Sequence, residues 1–233
     1  MQTQHIAPSP LTSSSLTPSG GGPAKNLVIL LHGFGANGGD LLSLGKSWQS
    51  LLPETEFTAP NAPEPCAASS FDHSYQWFDL KNLQLTTLQE GVAQALPVLN
   101  TYIDQELNKR NLTDSQLMLV GFSQGTMMAL AASLSRPKAC AGVLGYSGAL
   151  FYPPNLPIHC KPPIFLIHGD ADEVIEVEYA MRTAAELSEL GVPVKSFVAK
   201  EIGHHIDAQG QQLGGQFICN QLNWTTNKEE TKR

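Results

Sequence analysis

The chain has 233 residues, of which 42% are hydrophobic, enough for the core of one globular domain and too many for a disordered chain. Its 14 Lys and Arg against 21 Asp and Glu give a net charge of −7, which disfavours nucleic acid as a partner. The longest aliphatic run, residues 27–31, is far shorter than the roughly 18–20 apolar residues of a transmembrane segment.

The N-terminal region is predicted to lie outside the main domain. Residues 8–23 are rich in Pro, Ser, Thr and Gly, which bury too little apolar surface to offset the entropy of ordering. We therefore expect a loosely structured or edge-lying arm over residues 1–25, one domain over 26–226 and a polar tail over 227–233. Residues 1–22 show neither the charged nor the apolar region of a leader peptide, so the expected location is the cytoplasm.

From residue 26 onward, short apolar runs alternate with longer amphipathic stretches. The runs predict strands at 27–31, 56–59, 116–120, 141–146, 164–168 and 194–199. The stretches between them predict helices at 40–52, 86–111, 123–135, 177–190 and 208–224. Most of the strand runs are continuously apolar, as in sheets that are covered on both faces. The pattern therefore predicts an α/β domain with a mainly parallel, doubly wound sheet and helices on both faces.

Residues 60–79 interrupt this alternation. They contain three prolines and a cluster of aromatic residues, with neither a helical nor a strand period. An ordered loop of this length in a compact domain usually has a functional role. We therefore expect the loop to contribute to a site.

The four cysteines form no C-x-x-C pair and are widely spaced. This pattern indicates neither a zinc site nor a disulfide framework. Reduced structural thiols are therefore predicted at Cys66, Cys140, Cys160 and Cys219.

The sequence Gly121-Phe122-Ser123-Gln124-Gly125 lies between a predicted strand and a predicted helix. A G-x-S-x-G sequence in this context is typical of a nucleophile elbow, the tight turn that presents a reactive serine. Glycine is needed on both sides because a Cβ there would clash in so sharp a turn. The position at a helix N-terminus favours developing negative charge. Ser123 is therefore the candidate nucleophile.

A serine nucleophile needs a base and a carboxylate later in the chain, in the order Ser, Asp, His. The predicted strand at 164–168 ends in Asp170 and Asp172, and either could reach an imidazole from the sheet edge. The last predicted strand is followed by His204 and His205, of which one is needed. Spacing alone does not choose within either pair.

An oxyanion hole needs two backbone N–H donors. One comes from the residue after the nucleophile, Gln124, and the second from the loop after an early strand. Residues 32–39 (HGFGANGG) form that loop, and their four glycines permit a close approach of backbone to a carbonyl group, so Phe34 is the candidate second donor. The loop is not a phosphate cradle because it lacks the Lys-Ser/Thr ending of a P-loop.

Taken together, these motifs resemble the phospholipase/carboxylesterase family of α/β-hydrolases, which includes acyl-protein thioesterases and small bacterial carboxylesterases. The likeness covers residues 27 to 224. Its motifs are 31–38 (LHGFGANG), 59–63 (APNAP), 77–79 (WFD), 121–125 (GFSQG), 168–172 (HGDAD) and 203–204 (GH).

The resemblance implies an α/β-hydrolase fold without a large cap domain and assigns roles to residues. It implies that Asp172 is the acid and His204 the base of a triad with Ser123. It implies that Phe34 and Gln124 supply the oxyanion N–H groups. Two further residues of the 60–79 loop are implied beside the acyl pocket: Trp77 and Phe78. The second imidazole, at position 205, departs from the small residue that is common there in the family.

The expected function is a serine carboxylesterase that cleaves acyl esters through an acyl-enzyme, with no metal or organic cofactor. Its substrate would be a small acyl ester or an acylated protein or lipid; acyl length and a homodimer stay open. An acyl-protein thioesterase or lysophospholipase on the same triad is one alternative. A binding module on an inactive hydrolase scaffold is a second. A third is a metal-dependent hydrolase with ligands among His168, Asp170, Asp172, His204, His205 and Asp207.

Overall fold

The structure, a computed structural model, describes residues 11–69 and 72–230, with side chains as far as residue 223. Residues 1–10 of the predicted arm, 70–71 of the predicted loop and 231–233 of the predicted tail lie outside the described residues. The described part contains these strands: β1 Ser13–Leu16, β2 Asn26–Leu31, β3 Thr55–Pro60, β4 Glu64–Pro65, β5 Tyr75–Gln76, β6 Leu117–Phe122, β7 Gly142–Tyr146, β8 Ile164–Gly169 and β9 Val194–Ala199.

Seven of these strands form one sheet in the order β1-β3-β2-β6-β7-β8-β9. Every neighbouring pair is parallel except β1 and β3, which are antiparallel. The other two strands, β4 and β5, pair as a short antiparallel hairpin outside the main sheet. The mainly parallel sheet predicted from the apolar runs is confirmed, and each predicted run coincides with a strand of the main sheet.

Five α-helices lie in the described residues: α1 Gly38–Trp48, α2 Leu85–Arg110, α3 Gln124–Ser135, α4 Val177–Glu189 and α5 Ala208–Glu230; a short 3-10 helix, Asp114–Gln116, precedes β6. One apolar layer contains α2, α3 and α4, and the layer on the other face of the sheet contains α1 and α5. None of the described helices is both long and apolar enough to cross a membrane. Helices therefore cover both faces of the sheet, as the sequence predicts, and the described residues add no large cap domain to them.

Strand β2 shows why the central strands are continuously apolar. Leu27, Ile29 and Leu31 belong to the layer with α2 and α3, whereas Val28 and Leu30 belong to the layer with α1 and α5. Successive side chains of a strand point to opposite faces, so a strand between two helical layers buries all of them. All five side chains are fully buried.

The segment predicted as a loose or edge-lying arm contains strand β1 at the edge of the sheet. Ser14 pairs with Ala59 and Leu16 with Phe57. Beyond the strand, the N–H of Asn61 donates to the carbonyl of Thr12 at 2.8 Å. Backbone pairing of this kind needs no apolar side chains, which is why a Ser-rich run can form an edge strand without a hydrophobic pattern. At the other end of the chain, α5 continues to Glu230, so residues 227–230 of the predicted tail are helical.

The 60–79 loop crosses the carboxyl end of the sheet and returns to the core. After the β4–β5 hairpin, Trp77 and Phe78 turn inward and are almost fully buried. The Phe78 ring lies on Gly91 of α2, where a Cβ would overlap the ring atoms. The loop is thus anchored by two aromatic side chains beside the end of β2.

Candidate active site

The candidate site residues lie at the carboxyl ends of the parallel strands, which all point to the same end of the sheet. Strand β2 leads into the 32–39 loop and β6 into Ser123. Strand β8 leads into Asp172, and β9 is followed by His204. Residues far apart in the sequence are brought together by sheet topology alone.

Ser123 occupies a tight turn between β6 and α3. Its backbone has φ 54° and ψ −119°, a conformation that costs a residue with a side chain on the order of 1–3 kcal/mol. A Cβ at Gly121 would overlap the backbone of Gly125, and a Cβ at Gly125 would overlap the carbonyl of Leu31. The N–H of Ser123 donates to the carbonyl of Tyr146 at 2.9 Å, which ties the turn to β7. The two flanking glycines are therefore steric requirements of the turn.

Asp172 is a buried carboxylate held by several donors. Its Oδ1 accepts hydrogen bonds from the N–H groups of Val174 and Ile175, each at 2.9 Å. Its Oδ2 accepts one from Nδ1 of His204 at 2.8 Å. Burial by itself would raise the pKa of Asp172, but the bonds from Ile175, His204 and Val174 outweigh it and lower the pKa below its usual value. The group is therefore ionised at neutral pH.

Asp170 has a different role from Asp172, a distinction that spacing alone left open. Its Oδ1 accepts a hydrogen bond from the N–H of Glu201 at 2.6 Å, and its own N–H donates to the carbonyl of Ala199. Glu201 has φ 61°, so Asp170 stabilises a tight turn shortly before His204. Asp170 shapes the loop, while Asp172 contacts the histidine.

His204 links the buried carboxylate to the surface of the site. Because Nδ1 donates to Asp172, the proton sits on Nδ1, and Nε2 is left with its lone pair. The ring packs on Phe122 with the centroids 4.9 Å apart, and 18% of the side chain is exposed. His205 is turned outward, and its N–H donates to the carbonyl of Gly203 at 2.8 Å. Of the two histidines, His204 is the one with the geometry of a base.

A second histidine, His168, lies beneath Asp172. Its Nε2 is 2.7 Å from the carbonyl oxygen of Ile175 and 3.3 Å from Oδ2 of Asp172. A carbonyl can only accept, so Nε2 carries the proton. The sequence motifs indicate His168 only as a possible metal ligand and do not reveal this contact. Its position four residues before Asp172, at the end of a buried strand, was the available signal.

The 32–39 loop is fixed by hydrogen bonds around Phe34. His32 accepts a hydrogen bond at Nε2 from the N–H of Ala62 at 2.9 Å, so its Nδ1 donates to the carbonyl of Gly33 at 2.7 Å. Burial lowers the pKa of His32, which keeps it neutral. Gly35, at φ 76°, donates to the carbonyl of Tyr75 at 2.9 Å. Within the described residues, no carbonyl accepts from the N–H of Phe34, so that donor is available to a ligand.

Gln124 connects the elbow to the 60–79 loop through its side chain. Its Oε1 accepts from the N–H of Trp77 at 2.9 Å, and its Nε2 donates to the carbonyl of Phe78 at 2.8 Å. The indole N–H of Trp77 in turn donates to the carbonyl of His32 at 3.0 Å. The backbone N–H of Gln124, at the first turn of α3, has no acceptor in the described part of the chain. Both predicted oxyanion donors are thus held in place by one network.

Ser123 and His204 line the same cavity, whose volume is about 760 Å³. Phe34 and Met127 lie beside Ser123 in its wall, and most of the remaining wall is apolar. At the polar side, the guanidinium of Arg182 lies over the ring of Tyr179, 4.4 Å from its centroid. The cavity can receive a hydrocarbon chain whose carbonyl carbon lies at Ser123.

A sequence model described as Phospholipase/Carboxylesterase matches residues 14–221. The chain belongs to the phospholipase/carboxylesterase family. The resemblance predicted from the motifs is therefore confirmed, together with the α/β-hydrolase fold. The chain is an enzyme that hydrolyses carboxylic ester or thioester bonds.

The chain is similar to several esterases and thioesterases along most of its length. The crystal structure of esterase PE8 matches with a TM-score of 0.85 at 35% identity, covering 91% of this chain and 99% of that one. Acyl-protein thioesterase 1 of Emericella nidulans is 29% identical over 77% of this chain and 83% of that protein. Esterase YpfH of Escherichia coli strain K12 is 26% identical over 88% of this chain and 85% of that protein.

Some of the residues predicted from the family motifs lie at the large cavity, and others are buried away from its wall. Ser123, His204 and Phe34 line the large cavity, and Asp172 lies behind His204. Trp77 and Phe78 are 1% and 3% exposed and are not part of the cavity wall. Their direct contact with substrate stays a prediction that their burial does not favour. Trp77 instead donates to the carbonyl of His32 in the loop that contains Phe34, and Phe78 packs on Gly91 of α2.

Five of the six side chains considered as metal ligands contact one another or the backbone. His168 and His204 contact Asp172, Asp170 caps the N–H of Glu201, and Asp207 accepts from the N–H of Gly210 at 2.8 Å. In the part of the chain that the structure describes, no three His, Cys, Asp or Glu side chains are placed to hold a metal ion.

Proposed function

We propose that this family member is a serine carboxylesterase that acts through a Ser123–His204–Asp172 triad. The observation that carries the proposal is the position of His204, which is bonded to the buried Asp172 and shares the wall of one cavity with Ser123. This is the arrangement that activates an otherwise weak hydroxyl nucleophile.

The first half of the reaction forms an acyl-enzyme. Nε2 of His204 takes the proton of the Ser123 hydroxyl as Oγ bonds to the carbonyl carbon of the ester. The carbonyl oxygen becomes negative and accepts hydrogen bonds from the N–H groups of Phe34 and Gln124. The carbon–oxygen bond to the leaving group then breaks, and His204 gives its proton to the departing oxygen. Asp172 stabilises the imidazolium throughout.

The second half releases the acid. A water molecule gives a proton to Nε2 of His204 while its oxygen bonds to the acyl carbon. The same two N–H groups bind the oxyanion again. The bond from carbon to Oγ of Ser123 then breaks, and His204 returns the proton to the serine. Neither half needs a metal or an organic cofactor.

The shape and lining of the large cavity support a hydrocarbon acyl group. Leu83, Leu85 and Val174 belong to its lining although they are 70%, 58% and 69% exposed, so a bound chain would cover apolar surface that water now contacts. Covering apolar surface contributes roughly 25 cal/mol per Å². Thioesters pass through nearly the same tetrahedral intermediate. The acyl-protein thioesterase relatives therefore favour thioester cleavage as a second candidate activity on the same residues.

The test of this function is hydrolysis of p-nitrophenyl esters of graded acyl length by the wild type and by Ser123→Ala. We expect Ser123→Ala to lower kcat roughly 10⁴- to 10⁶-fold for every ester, because triad members act as a unit. A fluorophosphonate should add one adduct, on Ser123. Wild-type turnover by Ser123→Ala, or an adduct at another residue, would overturn the triad. Acyl thioesters in the same assay would measure the second activity.

A cytoplasmic location and a homodimer both stay predictions. Size-exclusion chromatography with light scattering measures the second directly.

A further inference from the structure

A second cavity lies on the other side of His204, with a volume of about 520 Å³. It is formed between the beginning of α1 and the segment that follows β9. Besides His204, which it shares with the large cavity, its polar lining residues are Asp40, Ser43, His205 and Gln211, and the other five lining residues, Phe122 among them, are apolar. Nothing in the reaction described above uses these four side chains.

The two cavities both have His204 in their walls, and this determines where the leaving group can lie. In acylation, the imidazole that took the serine proton must pass it to the departing oxygen or sulfur. The leaving group must therefore lie against His204. The acyl group lies in the apolar cavity, which also contains Ser123 and Phe34. A leaving group in contact with His204 then has the second cavity beside it.

We infer that the second cavity is the subsite for the leaving group and that it favours a polar alcohol with hydrogen-bond donors or a positive charge. The inference rests on the proposed triad. It follows from the lining, which contains the carboxylate of Asp40 and neither lysine nor arginine among the described residues. The Ser43 hydroxyl and the Gln211 amide add acceptors. The molecule's net charge of −7 acts in the same direction.

Asp40 allows a charge test that leaves the local structure intact. Its Oδ2 accepts a hydrogen bond from the N–H of Asn37 at 3.0 Å, at the start of α1. Asp40→Asn keeps an oxygen for that bond and removes the charge. The side chain is exposed, so solvent and salt weaken its attraction for a cation, and the effect of the change is a few-fold.

The charge experiment compares two esters of one fatty acid, the choline ester and the 3,3-dimethylbutyl ester, which have the same shape and differ by one positive charge. We expect the wild type to prefer the choline ester in kcat/KM, and Asp40→Asn to lower that preference about threefold at low ionic strength. Deacylation should be identical for both esters because they give the same acyl-enzyme. Glu90→Gln, which removes an exposed charge from α2 outside both cavities, should leave the preference unchanged.

The steric experiment places a bulky side chain in the same cavity. Ser43 is exposed on α1, so Ser43→Trp can be accommodated without disturbing the core. We expect at least a fivefold loss of kcat/KM for the choline ester and little change for the methyl ester of the same acid. The relative rates for short and long acyl groups should not change.

The outcomes separate this inference from the triad. Unchanged choline preference in Asp40→Asn together with equal losses for methyl and choline esters in Ser43→Trp would overturn the leaving-group subsite and leave the triad standing. A shift in acyl-length preference would assign the cavity to the acyl group instead and would also overturn the inference. Activity that survives Ser123→Ala would overturn the triad itself.

Discussion

In the proposed triad, the carboxylate of Asp172 fixes the tautomer of His204 and stabilises its charged form. An amide at this position can still accept at one atom, but its NH₂ group could face Nδ1 and force the ring proton onto Nε2, where it blocks proton transfer from the serine. We expect Asp172→Asn to lower kcat roughly 10³- to 10⁴-fold for any acyl ester. Steady-state kinetics with circular dichroism as a check of folding measures this. A loss below tenfold in a folded variant would show that Asp172 does not orient the base.

His168 is predicted to position Asp172 rather than to touch substrate. It contacts Ile175 and Asp172 and does not line either cavity. In His168→Leu the partly buried carbonyl of Ile175 loses its donor, and the turn that holds Asp172 loosens. An unmet buried acceptor costs about 1–3 kcal/mol.

We therefore expect His168→Leu to lower kcat about tenfold with little change in KM, which corresponds to about 1.4 kcal/mol. The amide nitrogen of glutamine can occupy the place of Nε2, so His168→Gln should regain most of kcat. Full kinetics and thermal unfolding of both variants test this. A rise in KM at constant kcat, or equal losses in Leu and Gln, would contradict a positioning role.

At the scale of elements, the site depends on the contact between α3 and the 60–79 loop. Gln124→Leu keeps the oxyanion N–H but leaves the N–H of Trp77 and the carbonyl of Phe78 buried without a partner. Each such group costs about 1–3 kcal/mol. We expect a lower melting temperature and also a lower kcat, because Trp77 donates to the carbonyl of His32, the first residue of the 32–39 loop that contains the proposed oxyanion donor Phe34.

Gln116 offers a matched control for Gln124. It too makes two side-chain bonds to backbone, accepting from Thr113 and donating to Lys25, but it is only partly buried, at the opposite end of β6. Gln116→Leu should therefore cost less stability and leave kcat unchanged. Equal changes of kcat in the two variants would show that the hydrogen bonds of the Gln124 side chain do not affect the 32–39 loop.

The same elements show what sequence patterns can and cannot predict. Apolar runs predicted six strands of the sheet, and in the central strands full burial on two faces leaves a continuous run, whereas β9, at the edge, carries the exposed Lys195 and Ser196. Strand β1 leaves no such pattern, since its three serines are exposed and its pairing with β3 is made by the backbone. The elbow could be found from Gly121 and Gly125 because the clash that selects glycine there is local. The division of roles between Asp170 and Asp172 depends on contacts with residues some 30 positions away, which spacing does not show.

At the scale of the whole molecule, two buried tyrosine hydroxyls, which are weak acids, form hydrogen bonds that join elements of different layers or strands. The Tyr102 hydroxyl, on α2, is 2.7 Å from Oγ1 of Thr58 on β3. The Tyr146 hydroxyl, on β7, donates to the carbonyl of Gly210 on α5 at 3.0 Å. Burial raises the pKa of Tyr102 to about 12 and also raises that of Tyr146. These groups stay protonated in the folded chain at a pH where the unfolded chain loses their protons.

Cys140 permits the sharpest measurement of this coupling between protonation and folding. Burial raises the pKa of its thiol from 9.0 to about 12. Below pH 9 the thiol is protonated in both states and its contribution to stability is complete. Between pH 9 and 12 the unfolded chain holds one proton fewer, so the free energy of unfolding falls by about 1.4 kcal/mol per pH unit from this group.

Cys140→Ala lacks the group and should show a slope shallower by that amount, measured by urea unfolding at several pH values. The smaller side chain also lowers stability at every pH, but that loss does not affect the comparison because only the slopes against pH are compared. Parallel slopes would mean that the thiol ionises in the folded chain as it does in the unfolded one.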